Sequence, residues 1–406
     1  DMTLGTVVNP EILNVSLGVD IDVLMNSGWN WMSFNVYTED MALNNMLSSL
    51  DDNAEYIKSQ SGYADYYAGF GWFGTLGDMD NLSMYKLRMG AADNIVLTGM
   101  PVDLESTIFN LSSGWNWIAY APQFDLDINT ALVNIPDGNA EYVKSQAGYA
   151  DYYSGFGWFG TLSDMQPFLG YLLRVNTDTQ FTYSLGDGLA RYDSYDYESN
   201  THDVFDVNMH DYEHNGTMTV ALYDNGERIQ SSDYLLAAFD ESGDCVGHTQ
   251  STAFPFDGGN TIFPLMVYGN EDGVGLTFKA YQLSTGQYHE IDQRLSFTHD
   301  MTLGDGFDPV VMNLAAEPTE FSIGNPYPNP FNPVVNFDVE ITNESYVTAK
   351  IYNISGQEVA TIHDGMLSAK NHQMRWMADS YASGVYFIKV IIDNNPATHK
   401  KIVLLK

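Results

Sequence analysis

Short runs in which apolar or aromatic residues alternate with polar ones fill most of the chain. They are closed by Gly, Asp, Asn or Ser, which is the pattern of half-buried strands. Residues 29–36 and 115–121 are aromatic runs of this kind. After each come AEY(I/V)KSQ, YADYY and GWFGTL, short strands broken at Gly62, Gly69, Gly71 and Gly74 or their equivalents. Runs at 84–89 and 171–175 read as closing strands, followed by 95–98 and 180–183. Helical spacing shows in two stretches, 40–50 and 127–135, each opened by an Asp suited to cap a helix. Farther on, 217–223, 234–240, 261–268, 275–282 and 288–297 predict one β-sandwich, and six or seven short strands in 334–405 predict another. The expected fold is therefore mainly β: tandem small β-rich repeats with one short helix each, then two sandwich domains.

The first half is a duplication. Residues 53–76, NAEYIKSQSGYADYYAGFGWFGTL, recur at 139–162 with three differences, Ile57/Val143, Ser61/Ala147 and Ala68/Ser154. The offset of 86 also relates Gly28-Trp29-Asn30-Trp31 to Gly114-Trp115-Asn116-Trp117, and Arg88 to Arg174. A fixed-period match sets the architecture before any motif does. The repeats are placed at 17–98 and 99–186, an acidic linker at 187–199, the first sandwich at 200–314 and a second linker at 315–325.

Residues 1–16 stand apart, and they match 300–313 at an offset of 299. Asp-Met-Thr-Leu-Gly is identical in both, Pro10 aligns with Pro309, and Asn14 with Asn313. Two expectations follow. Either a longer precursor carried another 200–314 domain and this chain begins inside it, or residues 1–14 are a donated strand. In the second case Met2, Leu4, Ile12 and Leu13 would complete a neighbour's sheet by β-augmentation, and head-to-tail donation would give an open filament.

Four motifs in the last domain carry a family likeness: Tyr327-Pro328-Asn329-Pro330-Phe331-Asn332-Pro333; residues 349–359, AKIYNISGQEV, with Gly356; residues 383–387, SGVYF, with Gly384 and Tyr386; and the end, KIVLLK, closing on Lys406. Residues 326–406 resemble the C-terminal sorting domain of the type IX secretion system. The resemblance implies an Ig-like sandwich, export across the outer membrane of Bacteroidetes-type or related bacteria, engagement of the secretion machinery and an extracellular or cell-surface location. The residues also make physical sense locally. Prolines withhold backbone donors, so 327–333 cannot be a central strand, and Ser355-Gly356 suits a turn. Residues 200–314 and the GWNW repeats resemble, more distantly, modules of secreted proteins of the same bacteria, without a known activity.

Charge narrows the partners. The chain has 406 residues, 16 Lys+Arg against 53 Asp+Glu, and a net charge of −37. Nucleic acid and anionic membrane both require cationic patches and are therefore poor partners. No apolar run approaches the ~20 residues of a membrane-spanning helix. Cys245 is the single cysteine, so no internal disulfide forms. Asp1 in first place, with no leader in view, reads as a processed or excised product.

Candidate chemistry is sparse. His202, His210 and His214 among Asp203, Asp206, Asp211 and Glu213 contain a His-x3-His pair, but no HExxH helix, and no metal site is assigned. Asp51/Asp52/Asn53, Asp125/Asp127 and Asp240/Glu241/Asp244 are oxygen-rich enough for calcium but lack EF-hand spacing; they read as solvated turns. Tyr66, Tyr67, Trp72, Tyr152, Tyr153 and Trp158, with Tyr63, Phe70, Phe73, Tyr149, Phe156 and Phe159, either stack on sugars, anchor an interface or fill repeat cores. Lys58/Lys144 and Arg88/Arg174 are duplicated cations expected to pair with nearby carboxylates. No nucleophile elbow, phosphate loop or dinucleotide fingerprint is present, so no catalytic residue and no cofactor is assigned. The expected role is a secreted structural or adhesive surface protein, able to self-associate. The rival is a carbohydrate-binding region of a longer hydrolase, for which Trp72 and Trp158 would need an open face.

Overall fold

The computed structural model describes residues 18–184, 204–315, 322–393 and 398–406; residues 1–17, including Met2, Leu4, Ile12 and Leu13, and the whole 187–199 linker lie outside them. The protein is mainly β, in several sheets, and divides into two compact units, Asp1–Leu314 and Ala315–Lys406.

In the first unit each duplicated segment folds as a five-stranded sheet with one strand order. In the first copy the order is Gly28–Met32, Tyr85–Met89, Ala54–Lys58, Tyr63–Tyr67, Gly71–Gly74; in the second it is Gly114–Ala119, Gly170–Val175, Ala140–Lys144, Tyr149–Tyr153, Gly157–Gly160. The register is shared as well: Trp29 faces Arg88 as Trp115 faces Arg174, and both sheets shift register after Ala54 and Ala140. The helices, Leu43–Met46 and Ile128–Ala131, are shorter than the spacing predicts. In the first copy the chain tightens into a 3-10 turn over Ser48–Asn53, where Ser and Asp compete for backbone bonds. Asp127 caps its helix by accepting from Thr130 N (3.1 Å), whereas Asp40 accepts from Ala42 N ahead of its helix and does not cap it.

Each helix locks its sheet through one asparagine. Asn44 Oδ1 accepts from Trp72 N (2.9 Å) and Asn129 Oδ1 from Trp158 N (2.7 Å). A Cβ on Gly71 or Gly157 would lie 2.3 Å from that oxygen, and both glycines have positive φ, so no other residue fits. Trp72 and Trp158, each 7% exposed, therefore fill their own copy's core.

The copies embrace reciprocally. Gln146 accepts from Trp31 N (3.0 Å) and donates to Trp29 O (2.8 Å); Gln60 does the same to Trp117 N (3.0 Å) and Trp115 O (2.8 Å). Ser33 N donates to Phe168 O and Ala119 N to Leu82 O, both at 2.9 Å. Each Gly-Trp-Asn-Trp strand lies at the edge of its sheet, and the other copy's glutamine satisfies that edge.

Residues 204–314 form two sheets around a shared core of Val220, Leu222, Phe263, Leu265 and Phe278. One is centred on His214–Asp224, flanked by Thr261–Gly269 on one side and, in parallel, by Thr302–Leu303 and Val310–Asn313 on the other. The other sheet runs Cys245–Gln250, Tyr234–Phe239, Gly275–Gln282, Gln287–Ser296. The second unit packs Ser322–Ile323, Val334–Ile341 and Lys370–Met377 against Glu358–Leu367, Ser345–Asn353, Gly384–Ile392 and Thr398–Leu404. Strict alternation turns Val335, Phe337, Val339 and Ile341 inward.

Candidate functional site

The chemistry of the first unit concentrates where the 204–314 domain meets the copies. Tyr142 and Tyr149 are buried there, their hydroxyls bonded to Thr217 (2.6 Å) and Thr219 (2.9 Å). Tyr153 accepts from Gly306 N (2.8 Å) and packs with Phe159 against Phe254 and Phe256. Burial of this much aromatic surface, at ~25 cal/mol per Å2, is the main force holding the domain on the second copy.

Cations stitch the same seam. Lys144, fully buried, gives its ammonium to Asp300 Oδ1 (2.6 Å) and Asn215 O (2.9 Å). Burial pulls Lys144 down; Asp300, which burial alone would raise, is held below the usual carboxylate range by Lys144. Arg174 donates to Thr302 Oγ1 (3.1 Å) and pairs with Glu141 (2.9 Å); Arg88 pairs with Glu55 (3.1 Å) and Lys58 with Glu213. Despite burial, Glu213 is held down to about 2 by hydrogen bonds from His214 and Lys58 and by the Lys58 charge. The duplicated cations thus do find carboxylates, two of them across the seam.

Two groups here escape a reading of the sequence by motif. Lys86 is fully buried, donates to Glu213 O (3.0 Å), and lies over Trp31 (4.2 Å) and Trp117 (5.0 Å). Burial pulls it down to about 7, and no carboxylate lies within ion-pair reach of it among the described pairs. Its equivalent in the second copy is Leu172, and that break in the duplication is the signal that marks it. Asp151 is pushed up to about 7, chiefly by burial and then by the Asp305 charge.

The other candidates disperse. His210 Nδ1 contacts Trp29 O (2.6 Å), while His214 faces Glu213 (3.2 Å) and stacks near His299; His202 lies outside the described residues. Among the described residues no three His, Cys, Asp or Glu are grouped to hold a metal. Asp240 accepts from Ser242 N and Asp244 N, and Glu241 from Gly275 N, so these carboxylates close turns. Asp52 accepts from Tyr66, and Asp125 from Gln166. Tyr66 and Tyr152 lie edge-on over the buried Trp72 and Trp158 (5.3 and 5.1 Å). The two tryptophans offer no open face to a sugar; of the candidate aromatics, Tyr63, Tyr67, Phe70 and Phe73 of the first copy and Phe156 of the second are exposed.

In the second unit the proline run lies along Thr398–Leu404, an edge strand. Phe331 N donates to Val403 O (2.9 Å) and Leu405 N to Phe331 O (3.0 Å); Asn329 bonds Lys401 O and Val403 N through its side chain. Tyr327 exchanges both backbone bonds with Asn336 (2.8 Å). Pro328, Pro330 and Pro333 fall where no donor is needed, with exposed Asn332 between them. Phe331, Trp376, Tyr381 and Tyr386 make one aromatic cluster. Asn353 Oδ1 holds the Ser355-Gly356 turn, where Gly356 has φ 76°. Lys406 N donates to Ser383 Oγ (3.0 Å), beside Gly384.

The family described as "Secretion system C-terminal sorting domain" matches residues 325–405. These residues are a type IX sorting domain, which marks the chain as a secreted protein and implies that it engages the type IX machinery. No curated protein matches the chain. Among solved structures, dimeric latent PorU from Porphyromonas gingivalis is 9% identical, with 96% of this chain and 30% of that one covered and a TM-score of 0.17. A Salmonella alpha-2-macroglobulin mutant is 11% identical, with 97% and 26% covered and a TM-score of 0.16. The chain thus spans under a third of either protein's length, and scores this low carry no argument. No helix among the described residues is long and apolar enough to cross a membrane.

Proposed function

We propose that the chain is a non-enzymatic structural or adhesive protein of the cell surface, displayed through the type IX route, with residues 18–314 as the presented unit. The observation that carries this reading is the use made of its scarce cations and dense aromatics. Lys58, Lys144, Arg88 and Arg174 are all engaged in ion pairs, and Gln60, Gln146, Tyr142 and Tyr149 weld the copies and the 204–314 domain together. Such a unit suits rigid display.

Polymerisation by donation of residues 1–14 into a neighbour's 204–314 domain has less support. Val310–Asn313 already fills that position, and Val7 would replace Gly306, where a Cβ lies 2.3 Å from buried Phe254. The test compares type IX-competent cells carrying the full chain, the chain without 326–406, and neither. Surface labelling and adhesion with the full chain alone, or an ordered layer by electron microscopy, is the expected result. Surface delivery with no change in layer or adhesion would remove the structural and adhesive reading.

A carbohydrate-binding role has one observation in its favour, the exposed Tyr67–Phe73 pair (5.8 Å) with Tyr63 and Phe70 beside it. A glycan array probed with the full chain and with Tyr67→Ala tests it; signal lost in the variant is the supporting outcome.

A further inference from the structure

Residues 210–214 strap the 204–314 domain onto the first copy. His210 Nδ1 meets Trp29 O (2.6 Å), Glu213 O accepts from Trp31 Nε1 (3.3 Å) and Lys86 Nζ (3.0 Å), and the Glu213 carboxylate takes Lys58. The strap covers the Trp29 end of a face that is open beyond it, at Tyr63, Tyr67 and Phe73. Its last residue, His214, is gripped at both ring nitrogens. Nε2 lies 3.2 Å from Glu213 Oε1, and Nδ1 lies 3.5 Å from Lys86 Nζ.

That grip accommodates one proton and not two. A neutral imidazole donates its Nε2–H to Glu213 and accepts the Lys86 ammonium at Nδ1. A charged imidazole turns an N–H toward Lys86, which can receive it only as a free amine. An imidazolium and an ammonium 3.5 Å apart, with the lysine fully buried, repel strongly. Among the described residues the carboxylates around the pair are already engaged: Glu213 by Lys58, Asp300 by Lys144, and Asp272 by His299, whose ring lies 5.2 Å from that of His214. Burial pulls Lys86 down to about 7, so below that pH the lysine already carries the one proton. We propose that residues 210–214 are an acid-released strap: a second proton on the Lys86–His214 pair frees them from the first copy and uncovers Trp29, while the domain stays on the second copy.

The second copy has no such pair and responds in the opposite sense. Leu172 stands where Lys86 does, and the domain is held there by Tyr142 on Thr217, Tyr149 on Thr219 and Lys144 on Asp300. Asp151 lies in that seam, pushed up to about 7 chiefly by burial and then by the Asp305 charge. Its folded value lies above 3.8, so falling pH gives the folded chain an extra proton there and strengthens the second seam while it strains the first. Freed of the strap, Trp29 joins Arg88, Tyr56, Asp65 and Phe73, its successive cross-strand neighbours, in one open row across the sheet.

Hydrogen exchange of the full chain, read by mass spectrometry at about pH 7.5 and about pH 5 and corrected for intrinsic rates, tests the strap across the range in which histidines change charge. Peptides covering 209–214 and 28–32 are expected to lose protection several-fold at the lower pH, while 149–153 keeps or gains it. Lys86→Leu and His214→Gln each remove one of the two competing cations, and each is expected to abolish the loss at 209–214. Equal protection of 209–214 at both pH values in the parent chain overturns the proposal. So does an undiminished loss in both variants, which would place the acid response on other groups. Loss at 149–153 together with 209–214 overturns it as well, because the whole domain would then be leaving or unfolding. Should His214→Gln disturb the seam at the higher pH, Lys86→Leu decides, since the second copy carries leucine at that place.

Discussion

Residues 53–76 and 139–162 differ at three positions, yet the same side chains meet different surroundings. Tyr149 is buried under the 204–314 domain and bonded to Thr219, while Tyr63 is half exposed; Tyr153 packs against Phe254, Phe256 and Phe307, while Tyr67 faces outward. Local sequence fixes the strands, the hairpins and the asparagine lock alike in both. It does not fix which copy is covered, because covering depends on the position of a domain more than fifty residues away. The copies also part at buried positions outside that block, among them Lys86 in the first against Leu172 in the second. The lysine lies under the backbone of Glu213, which gives its ammonium an acceptor.

The contrast can be broken most sharply at the tyrosines. Tyr149→Ala is expected to lower the stability of the first unit by about 3–5 kcal/mol and Tyr63→Ala by under about 1 kcal/mol. Urea unfolding followed by tryptophan fluorescence measures both, and equal losses would mean that the seam contributes little. Next comes the cation seam. Asp300→Ala leaves Lys144 buried without a carboxylate and is expected to cost about 3 kcal/mol or more. Glu213→Ala, whose partner Lys58 is partly solvated, is expected to cost about 1 kcal/mol in the same unfolding assay.

Lys86→Leu, which gives the first copy the residue of the second, is expected to leave stability unchanged or raise it by about 1–3 kcal/mol at pH 7. Its folded value of about 7 lies below the unfolded 10.5, so between these the unfolded chain holds a proton that the folded one lacks. Stability should therefore rise from pH 7 to 10.5, and melting temperatures across that range should flatten in the variant. Asp151 has the opposite sign. Its folded value of about 7 lies above 3.8, so the folded chain holds the extra proton, and stability falls as pH rises from about 4 to 7. Asp151→Asn is expected to remove that fall and gain on the order of 1 kcal/mol at pH 8, while Asp65→Asn in the first copy stays within about 0.5 kcal/mol.

A second contrast separates the two units. Residues 326–406 hold seven acidic and seven basic residues, so the whole net charge of −37 lies in the first 325. The sorting domain is electrostatically neutral and the cargo is strongly acidic. That acidity sets solubility and long-range repulsion, not fold.

The sequence by itself determined what depends on neighbours along the chain. The β class follows from alternation, and the duplication from its constant offset. The sorting domain follows from four ordered motifs, because prolines at 328, 330 and 333 and the Ser355-Gly356 turn act through backbone geometry that any local reading can follow. The helices are shorter than their spacing predicts, and in the first copy the Ser- and Asp-rich stretch tightens into a 3-10 turn. Only the tertiary structure decided that Trp72 and Trp158 point into cores, that Gln60 and Gln146 reach across to the opposite copy, and that Lys86 and Asp151 are buried. The physical reason is that burial and ion pairing are set by what lies opposite in space. Two nearly identical segments carry the same local code and cannot encode different partners.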